Sequence, residues 1–304
     1  MSRQPYFQFL SSNLYPIREA KIEPNFFDQM AVQSALVPAV LGFLLTGAVR
    51  LANGRNHGPR VAGAAVILSF GVGYFLIIGI PPLPPDGAFH KLIYGAAGGL
   101  VVGFLLDFFR LPPFVRWFLF PAGCGALLYW LEYPGVESAG FWVLSGLGAM
   151  WLASIVGLWR LEGEREAGLN PVVKLMIAAL GLAAVTMLGD APVIAQLAIA
   201  LAASLFGFTM WNWPTNVFPY GATLLMGAGG ALFALAWMAA LYHPMMSLPA
   251  LAVLLLVFFG DIAAKHMHLG ESRAANAAAP IVLAAVCCVP VLGAVALAYF
   301  VAAP

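Results

Sequence analysis

Ala191-Pro-Val-Ile-Ala-Gln-Leu-Ala-Ile-Ala-Leu-Ala-Ala-Ser-Leu-Phe-Gly-Phe-Thr-Met-Trp211 carries no charged residue and ends at a polar, proline-containing break, Asn212-Trp-Pro214-Thr-Asn216. About 20 mainly apolar residues are enough to span a bilayer as a helix. Lipid-exposed backbone has to satisfy its own hydrogen bonds, and a helix does so within one segment. The run is therefore read as a transmembrane helix, and it sets the reading of the whole chain.

Nine further runs of this kind flank it, at 31–52, 60–80, 89–108, 114–131, 139–160, 170–188, 219–241, 247–264 and 278–302. They are separated by Pro/Gly or polar clusters such as Pro81-Pro-Leu-Pro-Pro85, Tyr133-Pro134-Gly135 and Gly189-Asp190-Ala191-Pro192. The expected fold is an all-α integral membrane protein of about ten transmembrane helices, with residues 31–304 as one polytopic domain. Composition agrees: 62% of the 304 residues are hydrophobic and 9% are charged. Soluble domains carry about 25% charged residues. The net charge of +1 implies no electrostatic attraction to nucleic acid.

Basic residues set an expected orientation. Arg50, Arg55 and Arg60 fall in the first loop, Arg110 and Arg116 in the third, Arg160, Arg165 and Lys174 in the fifth, and Lys265 and Arg273 in the ninth. The even-numbered loops hold Lys91. By the positive-inside rule the odd loops are cytoplasmic and both termini lie on the outer face. Residues 1–30 lack a continuous apolar stretch but include Tyr6, Phe7, Phe9, Leu10, Leu14, Tyr15, Phe26 and Phe27. They are expected to form an amphipathic segment on the outer membrane surface rather than a cleaved signal. Cys124, Cys287 and Cys288 sit in apolar runs and read as small buried hydrophobes.

Nearly all polar side chains fall in the odd loops, so any chemistry is expected there. The first loop contains Arg55-Asn-His57-Gly-Pro-Arg60, which offers cations to a phosphate. The third has Gly103-Phe-Leu-Leu106-Asp107-Phe-Phe-Arg110, where Asp107 at a span end calls for hydration or a partner such as Arg110. The fifth, Arg160-Leu-Glu162-Gly-Glu164-Arg165-Glu166, has the spacing of a helix end with i,i+4 ion pairs. The seventh reads Gly207-Phe-Thr-Met-Trp-Asn212-Trp-Pro214-Thr-Asn-Val-Phe218, and the ninth Asp261-Ile-Ala-Ala-Lys265-His266-Met-His268-Leu. His266 and His268 alone do not make a metal site, which needs more ligands.

Taken in order, these five segments resemble the polyprenyl-phosphate N-acetylhexosamine-1-phosphate transferases (glycosyltransferase family 4), which include the peptidoglycan lipid-intermediate translocase. The resemblance implies ten spans with both termini outside, in a bacterial plasma membrane. It also implies transfer of a sugar-1-phosphate from a UDP-sugar to undecaprenyl phosphate in cell-envelope synthesis. The family holds Mg²⁺ with aspartates, and this chain departs from that pattern. The first acid of the Gly-x-x-Asp-Asp motif falls on Leu106, with the second kept as Asp107. The acid after the Val217-Phe218 lead-in falls on Gly221, or on Tyr220 if the gap is moved. In the fifth loop Glu162 overlays one acid and Arg165 the other.

Phosphoryl transfer depends on positioning and on charge stabilisation by metal and cations. The favoured expectation is therefore a divergent homologue, weak or inactive as a transferase, with no cofactor and no assigned metal ligand. It would bind membrane lipid, polyprenyl phosphate or a nucleotide-sugar, or serve as a membrane subunit for a protein partner or a second copy. The alternative is an active, Mg²⁺-dependent transferase rebuilt around Asp107, Glu162, Asp261, His266 and His268. Asp107 and Glu162 are the candidate catalytic residues. Arg55, His57, Arg60, Asn212, His266 and His268 are the candidate ligand-binding residues. A transporter or channel is a third class, disfavoured because ionisable residues lie in loops and span ends.

Overall fold

A computed structural model describes residues 30–109, 111–133, 135–138, 140–165, 168–214, 218, 220–243, 245–267 and 273–302, without the side chains of 53–61, 113, 138, 273, 274, 276 and 302. The proposed N-terminal surface segment, Arg110 and His268 lie outside the described residues.

The described residues contain helices and no strands. Eight helices are long and apolar enough to cross a membrane: α1 (Val32–Ala52), α3 (Ala88–Phe108), α4 (Phe114–Glu132), α5 (Phe141–Gly163), α6 (Asn170–Leu188), α7 (Pro192–Asn212), α8 (Ala222–Tyr242) and α10 (Ala277–Val301). Two shorter apolar helices, α2 (Ala62–Ile77) and α9 (Leu248–Ala264), complete the set. Each of the ten expected runs thus corresponds to one helix, and the chain is an all-α, multi-pass membrane protein.

Helical backbone continues from Val37 to Ile77 without an assigned break, yet α1 and α2 lie side by side. A Cβ on Gly73 would lie 2.8 Å from the Pro38 ring, although a straight helix would separate residues 35 positions apart by about 50 Å. α7 runs parallel to α1, with Gly42 against the Ser204 carbonyl and Gly47 against the Trp211 ring. Small residues permit such close backbone approach in a bilayer, where packing and hydrogen bonds hold helices together.

The same device joins α3 to α8. Cβ atoms on Gly99 and Gly103, one helical turn apart, would stand 2.4 Å from the carbonyl oxygens of Met226 and Ala222 respectively. α8 accommodates this seam with a wide π-helical turn, Leu225–Gly229. α8, α6 and α7 form the centre of the bundle, buried over 78%, 72% and 61% of their apolar stretch, whereas α1, α4 and α10 are buried over 22%. The peripheral helices turn residues such as Phe118, Trp142, Val289 and Phe300 outward, as lipid contact requires. Up-down alternation brings the ends of α3, α5, α7 and α9 and the starts of α4, α6 and α8 to one end of the bundle.

Candidate functional site at the charged end of the bundle

The N-cap position before α8 is Gly221, which has no side chain to cap the free backbone N–H groups of a helix start. The cap comes from α3 instead. Asp107 Oδ1 accepts from the Ala222 N–H at 3.0 Å, and Oδ2 accepts from the Thr223 N–H and hydroxyl, both at 2.9 Å. Arg165 donates to Oδ1 at 2.7 Å. Asp107 therefore finds its counter-ion in the fifth loop, 58 residues away in sequence. Its charge faces the positive end of the α8 dipole, where an anion is favoured. A Cβ on Gly221 would stand 2.5 Å from Asp107 Oδ2, so glycine is what allows the carboxylate to close on the helix start.

The fifth loop links this cap to a second buried cluster. Glu162 Oε1 accepts from Arg116 at 2.8 Å and lies 3.6 Å from Arg165. Lys174, near the start of α6, is fully buried; its ammonium reaches Glu164 at 2.5 Å, Asp261 at 2.6 Å and the Phe258 carbonyl at 3.0 Å. Arg160 donates to Asp261 at 2.6 Å, with Glu164 at 3.5 Å. Lys265 completes the ring around Asp261 at 3.2 Å. Phe258, whose carbonyl accepts from Lys174, also lines an apolar cavity of about 40 Å³ with Leu182, Leu232, Phe233 and Leu254 among others. The pairs of Lys174 with Glu164 and Asp261 are buried and sit in a low-dielectric setting, where each charge depends on its partners.

Burial pushes the Glu164 carboxyl above its ordinary range, and the hydrogen bond and charge of Lys174 oppose that shift. Tyr220 is fully buried; burial first, then the carboxylates of Glu162, Glu164 and Asp107, holds its hydroxyl neutral well above the usual phenol range. The Tyr220 hydroxyl, Glu162 Oε2, Glu164 Oε2 and the Nε atoms of Arg116 and Arg160 are buried without a hydrogen-bond partner among the described residues.

The structure places Asp107 and Glu162 together through Arg165. Asn212 is buried at the end of α7, where Nδ2 donates to the Phe208 carbonyl and Oδ1 accepts from the Phe218 N–H. Those bonds tie Phe218 to the end of α7. His266 is exposed, with Nδ1 2.8 Å from the Ile262 carbonyl oxygen. Arg55, His57 and Arg60 lie on helical backbone between α1 and α2, with side chains outside those described. Sequence reasoning used Lys174, Arg116 and Arg160 for orientation and missed their place in the cluster. One signal was available: Lys174 stands one turn inside an apolar span, where an ionisable residue needs a buried partner.

A carboxylate offers about four lone-pair sites. At Asp107 four donors meet its two oxygens, so this residue does not fit a magnesium ligand in the observed arrangement. Among the described residues no group of three or more His, Cys, Asp or Glu is arranged to hold a metal ion.

Fold and site together define a multi-pass helical membrane protein with a buried ion-pair network at one end. No family model matches the chain. Over 210 residues it is 30% identical to a Streptomyces coelicolor (strain ATCC BAA-471 / A3(2) / M145) protein named "Putative glycosyltransferase SCO3672". The match covers 67% of this chain and 47% of that protein, so the chain spans about half the length of the relative. To that extent the sequence is glycosyltransferase-like.

Proposed function

We propose that the chain is a divergent homologue of the polyprenyl-phosphate sugar-1-phosphate transferases, weak or inactive in transfer. In this reading it binds a lipid-linked or nucleotide ligand, or joins a membrane complex, at the cytoplasmic face of a bacterial plasma membrane. The observation that carries the reading is the commitment of Asp107. Its four acceptor positions are used to start α8 and to hold Arg165, so the one acid kept from the Gly-x-x-Asp-Asp motif serves structure. The place of the later acid, Gly221, lies against that carboxylate with no room for a side chain. Losing a single charge-stabilising group in an active site commonly costs about 10²–10³ in rate.

The test uses the purified full chain with a UDP-sugar and undecaprenyl phosphate. Binding without Mg²⁺-dependent release of UMP is the expected result, and steady turnover would overturn it. The second reading, an active transferase acting on a UDP-sugar and a polyprenyl phosphate, is favoured by the likeness to the Streptomyces protein. Asp107→Asn separates the two: loss of turnover out of proportion to loss of folded protein supports the enzyme, whereas lowered thermal stability with binding retained supports the structural role.

A further inference from the structure

Among the described residues Arg116, Arg160, Arg165, Lys174 and Lys265 each meet a carboxylate. Arg50, near the end of α1, meets none of those described. It lies instead over the end of α7, with Cζ 5.3 Å from the centre of the Trp211 ring. That ring is fixed in place. Its Nε1 donates to the Phe43 carbonyl at 2.7 Å, the Phe43 ring stacks on it at 5.0 Å, and a Cβ on Gly47 would stand 2.6 Å from its Cζ2. A guanidinium held by its face presents its N–H donors at its edge. Arg50 is exposed, and the same helix turns Leu44 and Leu51 outward at 56% and 85% exposure. Leucines seven positions apart share one helix face. Tryptophan rings and basic side chains at a span end lie at the depth of lipid headgroups.

We propose that Arg50, held on the Trp211 ring, binds the phosphate of an anionic phospholipid from the surrounding bilayer. The edge of the guanidinium takes two phosphate oxygens as a fork. An acyl chain of the same lipid runs along the outward face of α1, past Leu51 and Leu44. α1 is buried over 22% of its apolar stretch, so lipid reaches that face. A membrane lipid fits better than free phosphate because the cation and the apolar face are continuous on one helix. The site is made by α1 and α7, whereas the carboxylates of the charged cluster come from α3, α5, α9 and the turn after α5. This inference goes beyond the functional proposal and does not depend on it, because it concerns lipid retention on another face and not turnover.

The experiment titrates the purified full chain in detergent with phosphatidylglycerol, phosphatidylcholine or inorganic phosphate. It reads the thermal midpoint and the lipid retained in native mass spectrometry. Wild type is expected to bind phosphatidylglycerol more tightly than the zwitterionic lipid or inorganic phosphate, and to gain thermal stability with it. Arg50→Gln is expected to weaken phosphatidylglycerol binding about tenfold, the cost of losing a hydrogen bond to a charged group. Arg50→Met, which keeps the aliphatic stem, gives the same reading if the glutamine variant does not fold. Lys265→Gln, which removes a cation that is 76% exposed at the same end of the bundle, is expected to leave that binding unchanged. No preference for phosphatidylglycerol over phosphatidylcholine, unchanged binding in both Arg50 variants, or an equal loss in Lys265→Gln would overturn the proposal. Inorganic phosphate binding as tightly as the anionic lipid would also overturn it, by assigning the site to the free ion.

Discussion

Asp107 and Asp261 are both buried carboxylates at the same end of the bundle, and they are neutralised by different means. Asp107 meets a helix N-terminus, a hydroxyl and one guanidinium. Asp261 is surrounded by the cations Lys174, Arg160 and Lys265. Backbone N–H groups at Asp107 are fixed in place by α8, so that site depends on how close two helices come. Asp261 depends on side-chain charge, drawn from α5, α6 and its own helix. The contrast shows two ways of keeping an anion at the edge of a membrane domain: helix dipole and geometry in one, ion pairing in the other.

Breaking the Asp261 side should have the largest effect. Lys174→Met removes a fully buried cation from two acids, and loss of one partner of a buried pair costs about 3–5 kcal/mol. A strong drop in the thermal midpoint is expected, measured in detergent against wild type. Gly221→Ala attacks the other side by putting a methyl group 2.5 Å from Asp107 Oδ2. Overpacking of this kind costs about 1–3 kcal/mol. Faster hydrogen exchange at the Ala222 and Thr223 amides should accompany it, and unchanged protection there would refute the capping role.

Acidity sharpens the comparison further. The folded pKa of Glu164 lies above its ordinary value of 4.5, so its contribution to stability is full below that pH and is lost as pH rises through the folded value. Relative to Glu164→Gln, wild type should therefore lose stability on going up from pH 4.5, as followed by thermal midpoints across a pH series. The smallest effect is expected at Lys265, whose side chain is 76% exposed: Lys265→Ala should change stability by no more than about 0.5 kcal/mol. A larger change would mean that Asp261 relies on its exposed cation as much as on its buried ones.

Several parts of this architecture were legible in the chain. The uncharged run ending at Trp211 is α7, and the pairs Arg160–Glu164 and Glu162–Arg165 follow from helical spacing. Asp107 was recognisable as a charge in need of a partner, but the partner was not. Arg110, the neighbour that spacing suggests, lies outside the described residues, and the ion pair seen is to Arg165. The Glu/Arg cluster of the fifth loop reads as a solvated helix end in sequence, yet Glu162 and Glu164 are largely buried by elements far along the chain.

The sequence by itself determined the class of the protein. Long uncharged runs must be helices in a bilayer because the backbone has no other source of hydrogen bonds, and sparse charges must gather at the ends of those helices. Tertiary structure alone decided which charges meet. Gly99 and Gly103 let α3 approach α8 until Asp107 reaches the free N–H groups of Ala222 and Thr223, and Gly221 leaves room for its carboxylate. These contacts join residues 115 and 116 positions apart, and they are set by the packing of small residues rather than by any local pattern.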